Sequence, residues 1–309
     1  MSLPSLATLS RTLEGLPANL RGALWIVLSA TLLTIMGVMV KQLGQDMHSF
    51  QIVFFRCLIG AALMLPLILR AGLGSLRTQR PGLLVLRVLM GISAMFCVFY
   101  AFSHMPFAEA VAIIFSRPLF AVALAILLLG ETVAWRRISA AVIGFLGVLI
   151  MVRPGTAAFD AVSLVAVAAA VMAGCLAVII KKLSRTETTT TIVAWFTVGG
   201  TVISFVPTFF VWSTPKIEQW GLLFLIGAVG VAGQAALTRG FSTGDTSFVT
   251  LFDYTRLVFA TLFGFFLFRE IPDIWAIIGA LVIVGSGYYI AHQELALRRQ
   301  GGSKRSVSL

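Results

Sequence analysis

Charged side chains are scarce in this 309-residue sequence, and acidic ones are the scarcest. It has 12 Asp and Glu residues against 23 Lys and Arg residues, and charged residues make up only 11% of the chain. Soluble domains carry about 25% charged residues. Apolar residues reach 59% and the mean hydropathy is +1.00. This composition excludes a soluble globular protein and indicates one that lies in a lipid bilayer.

Cysteine and histidine are also rare, with three of each. Cys57, Cys97 and Cys175 stand singly in separate apolar runs without metal-ligand spacing, so we interpret them as small packing residues. The sequence has no Gly-x-x-x-x-Gly-Lys loop for ATP and no Cys–His arrangement that could activate a nucleophile. We therefore expect neither a metal nor another cofactor, and no enzyme. An intramembrane lipid-modifying enzyme is the remote alternative.

Apolar runs dominate the sequence from Gly22 to His292. Each is close to the roughly 20 residues that a helix needs to cross the hydrocarbon, and short polar or Gly/Pro breaks separate them. The sequence therefore predicts an all-α integral membrane protein with ten transmembrane helices. The predicted spans are 22–41, 50–69, 82–103, 107–129, 135–152, 161–181, 190–212, 218–238, 246–268 and 273–292.

The chain repeats itself at an offset of 139 residues, which we align without a gap. The matches include Phe115-Ser116-Arg117 with Tyr254-Thr255-Arg256, Ala101-Phe102-Ser103 with Gly240-Phe241-Ser242, Gly82 with Gly221, Gly91 with Gly230, and Glu131 with Glu270. Five spans per copy is an odd number, so the two copies cross the membrane in opposite directions and form inverted repeats. The predicted organisation is an N-terminal cytoplasmic segment 1–21, a first repeat 22–152, a second repeat 161–292 and a basic cytoplasmic tail 293–309.

Basic residues are distributed unevenly between the predicted loops. With a cytoplasmic N-terminus, sixteen of them lie on the cytoplasmic side and four, Lys41, Arg153, Lys216 and Arg269, lie outside. Short cytoplasmic loops collect Lys and Arg, so both termini are expected in the cytoplasm and the protein in the cytoplasmic (inner) membrane. The net charge of +11 then reflects orientation and attraction to membrane lipids rather than nucleic-acid binding.

Five charged residues fall inside predicted spans and cannot be assigned to loops: Arg56, Glu109, Arg117, Asp253 and Arg256. An arginine near the bilayer centre costs about 3 kcal/mol or more, so it must face a polar cavity or a partner. Arg117 and Arg256 occupy matching positions near the midplane, where transporters built from inverted repeats hold their substrate. We therefore expect these charges to line a substrate site.

Four of these five charges also have a structural alternative. Asp253 and Arg256 are three residues apart on one helix and could pair with each other. Glu109 is one turn inside a helix end, where a solvated side chain is the simpler interpretation. Arg56 could reach the outer surface by snorkelling, and Arg87 is expected to snorkel from the inner side.

The fourth span contains a helix breaker beside its arginine. Pro118 follows Arg117 and leaves the carbonyl of Ile114 without its helical donor, which predicts a kink. A kink beside a buried charge is typical of a binding site in a transporter, although a kink used only for packing is the alternative.

Aromatic side chains near these charges could cover the rest of a ligand. Tyr100, Phe115 and Tyr254 are the candidates among the aromatic residues near the predicted cavity, and Tyr100 and Tyr254 also carry a hydroxyl group. The predicted substrate-binding residues are Arg56, Arg117, Asp253, Arg256, Tyr100, Phe115, Tyr254 and Glu109.

Four short segments carry a resemblance to a known family. They are Val40-Lys41-Gln42-Leu43, Ile180-Lys181-Lys182-Leu183, Leu129-Gly130-Glu131 and Phe268-Arg269-Glu270. With two five-helix halves, the sequence resembles the EamA branch of the drug/metabolite transporter superfamily. The resemblance implies a central cavity between the halves and alternating access. The sequence departs from its own first copy at Arg269, where that copy has Gly130, and we interpret Glu131 and Glu270 as structural carboxylates at helix starts.

The leading hypothesis is a secondary active transporter for a small anionic or zwitterionic metabolite. Export of aromatic or cationic drugs is the alternative. The sequence leaves open a co-transported proton or an exchanged solute, import or export, and a monomer or a homodimer.

Overall fold

The computed structural model describes residues 17–71, 76–117, 120, 135–153, 160–244, 249, 252–253, 255–286 and 288–289. Within this part of the chain all regular structure is helical, in ten helices. They are α1 (Ala18–Leu43), α2 (Ser49–Ala71), α3 (Pro81–His104), α4 (Phe107–Ile114), α5 (Trp135–Val152), α6 (Ala161–Leu183), α7 (Thr189–Phe210), α8 (Gln219–Thr243), α9 (Thr255–Phe268) and α10 (Ile274–Ser286). This confirms the predicted all-α class and the count of ten.

Six of these helices, α1, α2, α3, α6, α7 and α8, are long and apolar enough to cross a membrane. Local sequence signals define several of their starts. Pro81 occupies the first turn of α3, where its missing N–H costs nothing. The side chains of Asp160 and Thr188 accept hydrogen bonds from Val162 N and Thr191 N at the starts of α6 and α7. Most of the predicted tail 293–309 and of segment 1–21 lies outside the described residues.

The gap-free repeat alignment is wrong by one residue. The first helices of the two repeats end at Leu43 and Leu183, an offset of 140, whereas the third helices end at His104 and Thr243, an offset of 139. The offset therefore changes by one residue between the start of the second helices, Ser49 and Thr189, and the end of the third.

The two repeats pack against each other through their long helices. Helix α1 packs on α8, α2 on α7 and α8, and α3 on α6 and α7. Glycines permit the closest approaches: a methyl group at Gly227 would lie 2.6 Å from Ile59 Cγ2, and one at Gly233 would lie 2.8 Å from Leu33 Cδ2. Small residues allow such contacts between membrane helices. The interior between the halves is therefore the centre of the molecule.

Helix α4 is interrupted next to Arg117. Its regular hydrogen bonding ends at Ile114, the residue whose carbonyl the sequence predicts to be free, and the Ser116 Oγ hydroxyl donates to Ile113 O at 2.6 Å. Phe115 and Ser116 form a turn before Arg117. Pro118 lies outside the described residues. Arg117, which is itself helical, therefore follows a break in the helix.

A polar cluster joins the repeats at the end of the molecule that is predicted to face outward. Lys41 Nζ lies 2.5 Å from Glu270 Oε1 and donates to Met105 O at 2.9 Å, while Glu270 Oε2 accepts from Phe107 N at 2.8 Å. Glu270 therefore caps the start of α4 in the first repeat, and not the start of the next helix of its own repeat. Glu131, its counterpart, lies outside the described residues.

The opposite end carries a related contact. Lys181, the counterpart of Lys41, donates from Nζ to Phe241 O at 2.7 Å and to Gly244 O at 3.2 Å. Met105 and Gly244 occupy equivalent places at the ends of α3 and α8. The pseudosymmetric lysines thus bind main-chain carbonyls at both ends of the molecule.

Candidate substrate-binding cavity

A cavity of about 150 Å³ lies between the two repeats, near the broken end of α4. Its apolar lining includes Met36, Phe99 and Phe196. Its polar lining within the described residues consists of four arginines and one glutamine. They are Arg56, Arg87, Arg117, Arg256 and Gln234. Three of these arginines were predicted as site residues.

Arg117 forms an ion pair with Asp253. Arg117 follows α4 of the first repeat, and Asp253 precedes α9 of the second, so the pair joins the two halves. The Asp253 side chain is 4% exposed, and a buried carboxylate needs such a partner because burial of a lone charge is costly. The predicted alternative, an Asp253–Arg256 pair on one helix, is not found among the described ion pairs.

Arg256 occupies the place in the second repeat that Arg117 occupies in the first. It lies half-buried on the cavity wall. No hydrogen bond or ion pair of its guanidinium group is found in the described residues. Its five donors are therefore available to a ligand.

Arg56 is completely buried, with 0% exposure. It donates from Nη2 to Gly230 O at 3.1 Å, and its guanidinium carbon lies 5.1 Å from the centre of the Phe196 ring. Its Nε has no hydrogen-bond partner. Snorkelling to the outer surface, the alternative for this residue, is therefore wrong: the side chain points between helices, where Gly230 leaves room for it.

Arg87 is a cavity residue that the sequence interpretation missed. It was expected to snorkel, yet it is only 3% exposed, donates from Nη2 to Gln234 Oε1 at 3.1 Å, and lies 4.2 Å from the Phe196 ring centre. The signal that could have identified it is Gly91, one turn later. A methyl group at Gly91 would lie 2.3 Å from Arg87 Nη1, so the glycine provides the space that the arginine occupies.

The remaining predicted residues lie elsewhere. Tyr100 stacks on His104 with ring centres 4.0 Å apart, and Phe115 is a core residue beside Arg117. Glu109 lines a separate apolar crevice of about 520 Å³ with residues of α9 and α10. None of these three lines the central cavity, and Tyr254 lies outside the described residues. The aromatic wall is instead supplied by Phe99, Phe196 and Phe241.

The side chains around the cavity carry more positive than negative charge. Four guanidinium groups face it, and among the described residues Asp253 is the one carboxylate in contact with any of them. The described polar partners of Arg56, Arg87 and Arg117 include Gly230, Gln234 and Asp253, all in the second repeat. The cavity is therefore electropositive and is held together by contacts across the repeat interface.

Comparison with known proteins places this fold. A solved crystal structure has the same fold: it matches with a TM-score of 0.64 at 22% identity, covering 91% of this chain and 99% of that one. The model of the EamA-like transporter family matches residues 20–153 and 161–291. The chain belongs to this family, within the drug/metabolite transporter superfamily.

Several characterised relatives align over most of the chain. The S-adenosylmethionine uptake transporter of Rickettsia prowazekii is 30% identical, covering 91% of this chain and 96% of the relative. The pseudopaline exporter CntI of Pseudomonas aeruginosa is 32% identical, covering 85% and 93%. The riboflavin transporter of Brucella anthropi is 31% identical, covering 80% and 89%. The protein is therefore a multi-pass membrane transporter of a small metabolite, and not an enzyme.

Proposed function

We propose that this protein is a secondary active transporter that moves a small anionic or zwitterionic metabolite by alternating access. It would lie in the cytoplasmic membrane with both termini inside. The observation that carries the proposal is the cavity at the repeat interface: four arginines line it, and the one carboxylate that pairs with any of them in the described residues is Asp253, which contacts Arg117. Guanidinium groups bind carboxylates through paired, charge-assisted hydrogen bonds.

The Arg117–Asp253 ion pair supplies a coupling mechanism. A substrate carboxylate that binds Arg117 competes with Asp253 for the same donors. Once displaced, Asp253 is a buried carboxylate without its counter-ion, and it is neutralised by taking a proton or by facing an ammonium group of the substrate. Substrate binding thereby loosens a contact between the two repeats, which is the interface that must rearrange in alternating access.

The alternative, export of aromatic or cationic drugs, has less support. The cavity has an aromatic wall of Phe99, Phe196 and Phe241, but its electropositive lining repels cations. The names of the relatives cover both uptake and export, so the proposal includes no direction of flux.

Thermal-shift measurements on the detergent-purified protein against a metabolite library test the proposal. A ligand at 100 times its Kd stabilises a protein by about 2.7 kcal/mol. We expect the stabilising compounds to be anions or zwitterions, and we expect Arg256→Gln to remove the effect. Arg239→Gln is the matched control, because Arg239 is exposed and contacts Trp25 outside the cavity. Stabilisation confined to cationic compounds would overturn the proposal.

A further inference from the structure

The cavity arginines fall into two groups. Arg56 and Arg87 contact the same Phe196 ring, with guanidinium carbons 5.1 and 4.2 Å from its centre. Arg117 and Arg256 belong to different repeats: Arg117 follows α4, and Arg256 lies in α9. We name the first group the paired-arginine subsite and the second the pseudosymmetric subsite.

The paired-arginine subsite has unused binding capacity. Two guanidinium groups share one aromatic ring, and no carboxylate pairs with either of them in the described residues. Each has one neutral oxygen partner, Gly230 O for Arg56 and Gln234 Oε1 for Arg87. The Nε groups of both arginines are buried without a hydrogen-bond partner. Buried donors without partners are destabilising, and an anion on this subsite would supply the missing acceptors.

In the pseudosymmetric subsite, one arginine has a counter-ion and the other has none among the described residues. Arg117 is paired with Asp253, while Arg256 has no ion pair or hydrogen bond among the described residues. A second anionic group would therefore bind Arg256 and approach Arg117. An ammonium group on the same ligand would face Asp253.

From these two groups we infer that the transported metabolite is a compact dicarboxylate, with one carboxylate on Arg56 and Arg87 and the other on Arg256. The inference rests on the proposed function and narrows it from anions in general to dianions. A single phosphate group would neutralise one subsite and leave the other unbalanced. The cavity of about 150 Å³ is smaller than the ~300–1,000 Å³ of pockets for drug-sized ligands, which favours a compact compound.

Matched ligand pairs test the inference directly. Succinate, glutarate, aspartate and glutamate are compared with their monoamides, which keep size and polarity but lose one charge. Isothermal titration of the purified protein should give a Kd about 10- to 100-fold lower for at least one dicarboxylate than for its amide, the range expected for a charge-assisted hydrogen-bond pair. Arg87→Gln and Arg256→Gln should each abolish this difference, and Arg239→Gln should keep it.

Arg256→Gln keeps the test decisive even if variants of the buried Arg56 and Arg87 fail to fold, because the Arg256 guanidinium has no hydrogen bond among the described residues to lose. Equal affinities for acid and amide in the wild type, or a difference that persists in Arg256→Gln, would overturn the inference. Binding of other anions but of no dicarboxylate would also overturn it and leave the proposed function intact. Binding of no anion or zwitterion at all would contradict both.

Discussion

Arg117 and Asp253 form a buried ion pair between the two inverted repeats. Arg256 is much closer to Asp253 along the chain, only three residues away, yet Asp253 pairs with Arg117. The arginine of the first repeat takes the carboxylate, and the equivalent arginine of the second stays open to the cavity. The inverted halves are thus asymmetric at their centre, which gives a ligand one free arginine and one that it must compete for.

Removing one partner of this pair should destabilise the fold. Arg117→Gln leaves Asp253 buried without its described counter-ion, and such changes cost about 3–5 kcal/mol. The double variant Arg117→Gln/Asp253→Asn removes both charges and should recover much of that loss. Unfolding midpoints in a fixed detergent measure the effect. Additive losses in the double variant would show that the two side chains do not interact.

Asp253 should couple transport to protons. In proteoliposomes we expect Asp253→Asn to abolish accumulation driven by an imposed pH gradient while substrate exchange stays measurable, because asparagine cannot take the proton. Asp273→Asn is the matched control: Asp273 pairs with Arg153 at 2.7 Å on the half-exposed rim, away from the cavity. Unchanged accumulation in Asp253→Asn, or a wild type that ignores the gradient, would leave Asp253 as a structural partner of Arg117 only.

The glycine pair Gly91 and Gly230 should be intolerant of alanine. A methyl group at these sites would lie 2.3 Å from Arg87 Nη1 and 2.8 Å from Arg56 Nε. We expect each alanine variant to lose about 1–3 kcal/mol of stability and most substrate binding, because it displaces a cavity arginine.

The controls for the glycine pair are Gly82→Ala and Gly221→Ala. These positions also match between the repeats, and a methyl group there meets nothing within 4 Å. Alanine should therefore leave their melting temperature and ligand affinity unchanged or slightly improved. Equal effects at all four glycines would show that helix propensity, and not space for the arginines, decides the outcome.

Equivalent loops of the two repeats should lie on opposite sides of the membrane. Gln45 and Arg185 are 140 residues apart, both exposed, in the loops after α1 and α6. In a background with the three native cysteines replaced by alanine, Gln45→Cys should react with an impermeant maleimide on intact cells. Arg185→Cys should react only after permeabilisation. Reaction of both on intact cells would contradict the inverted ten-helix topology.

The membrane class, the ten helices and three of the four cavity arginines could be predicted from the sequence. Backbone groups without hydrogen bonds and unpaired charges are both costly in hydrocarbon, and these costs limit where helices and arginines can lie. Arg87 was missed because its distance from a helix end suits snorkelling as well as burial. Only the tertiary structure decides between the two, because it places Phe196 of α7 and Gln234 of α8 beside Arg87.

The contacts of two carboxylates could not be predicted from the sequence either. Glu270 caps α4 of the first repeat, and Asp253 pairs with Arg117 rather than with Arg256. Both contacts join residues more than a hundred positions apart, and local spacing rules describe only neighbours on one helix. Tyr100 and Phe115 do not line the cavity. In a chain with 24 phenylalanines, the sequence alone does not show which rings face a cavity.

Solute counterflow in proteoliposomes tests most directly whether the arginine cavity is the substrate site. The wild type, Arg256→Gln and Arg239→Gln are compared with a compound identified by thermal shift. We predict that an anionic or zwitterionic compound exchanges across the membrane in the wild type and at the same rate in Arg239→Gln. Arg256→Gln should lower the rate at least about tenfold, the loss expected for one charge-assisted contact. Transport at the wild-type rate by a folded Arg256→Gln protein would contradict the assignment of the arginine cavity as the substrate site.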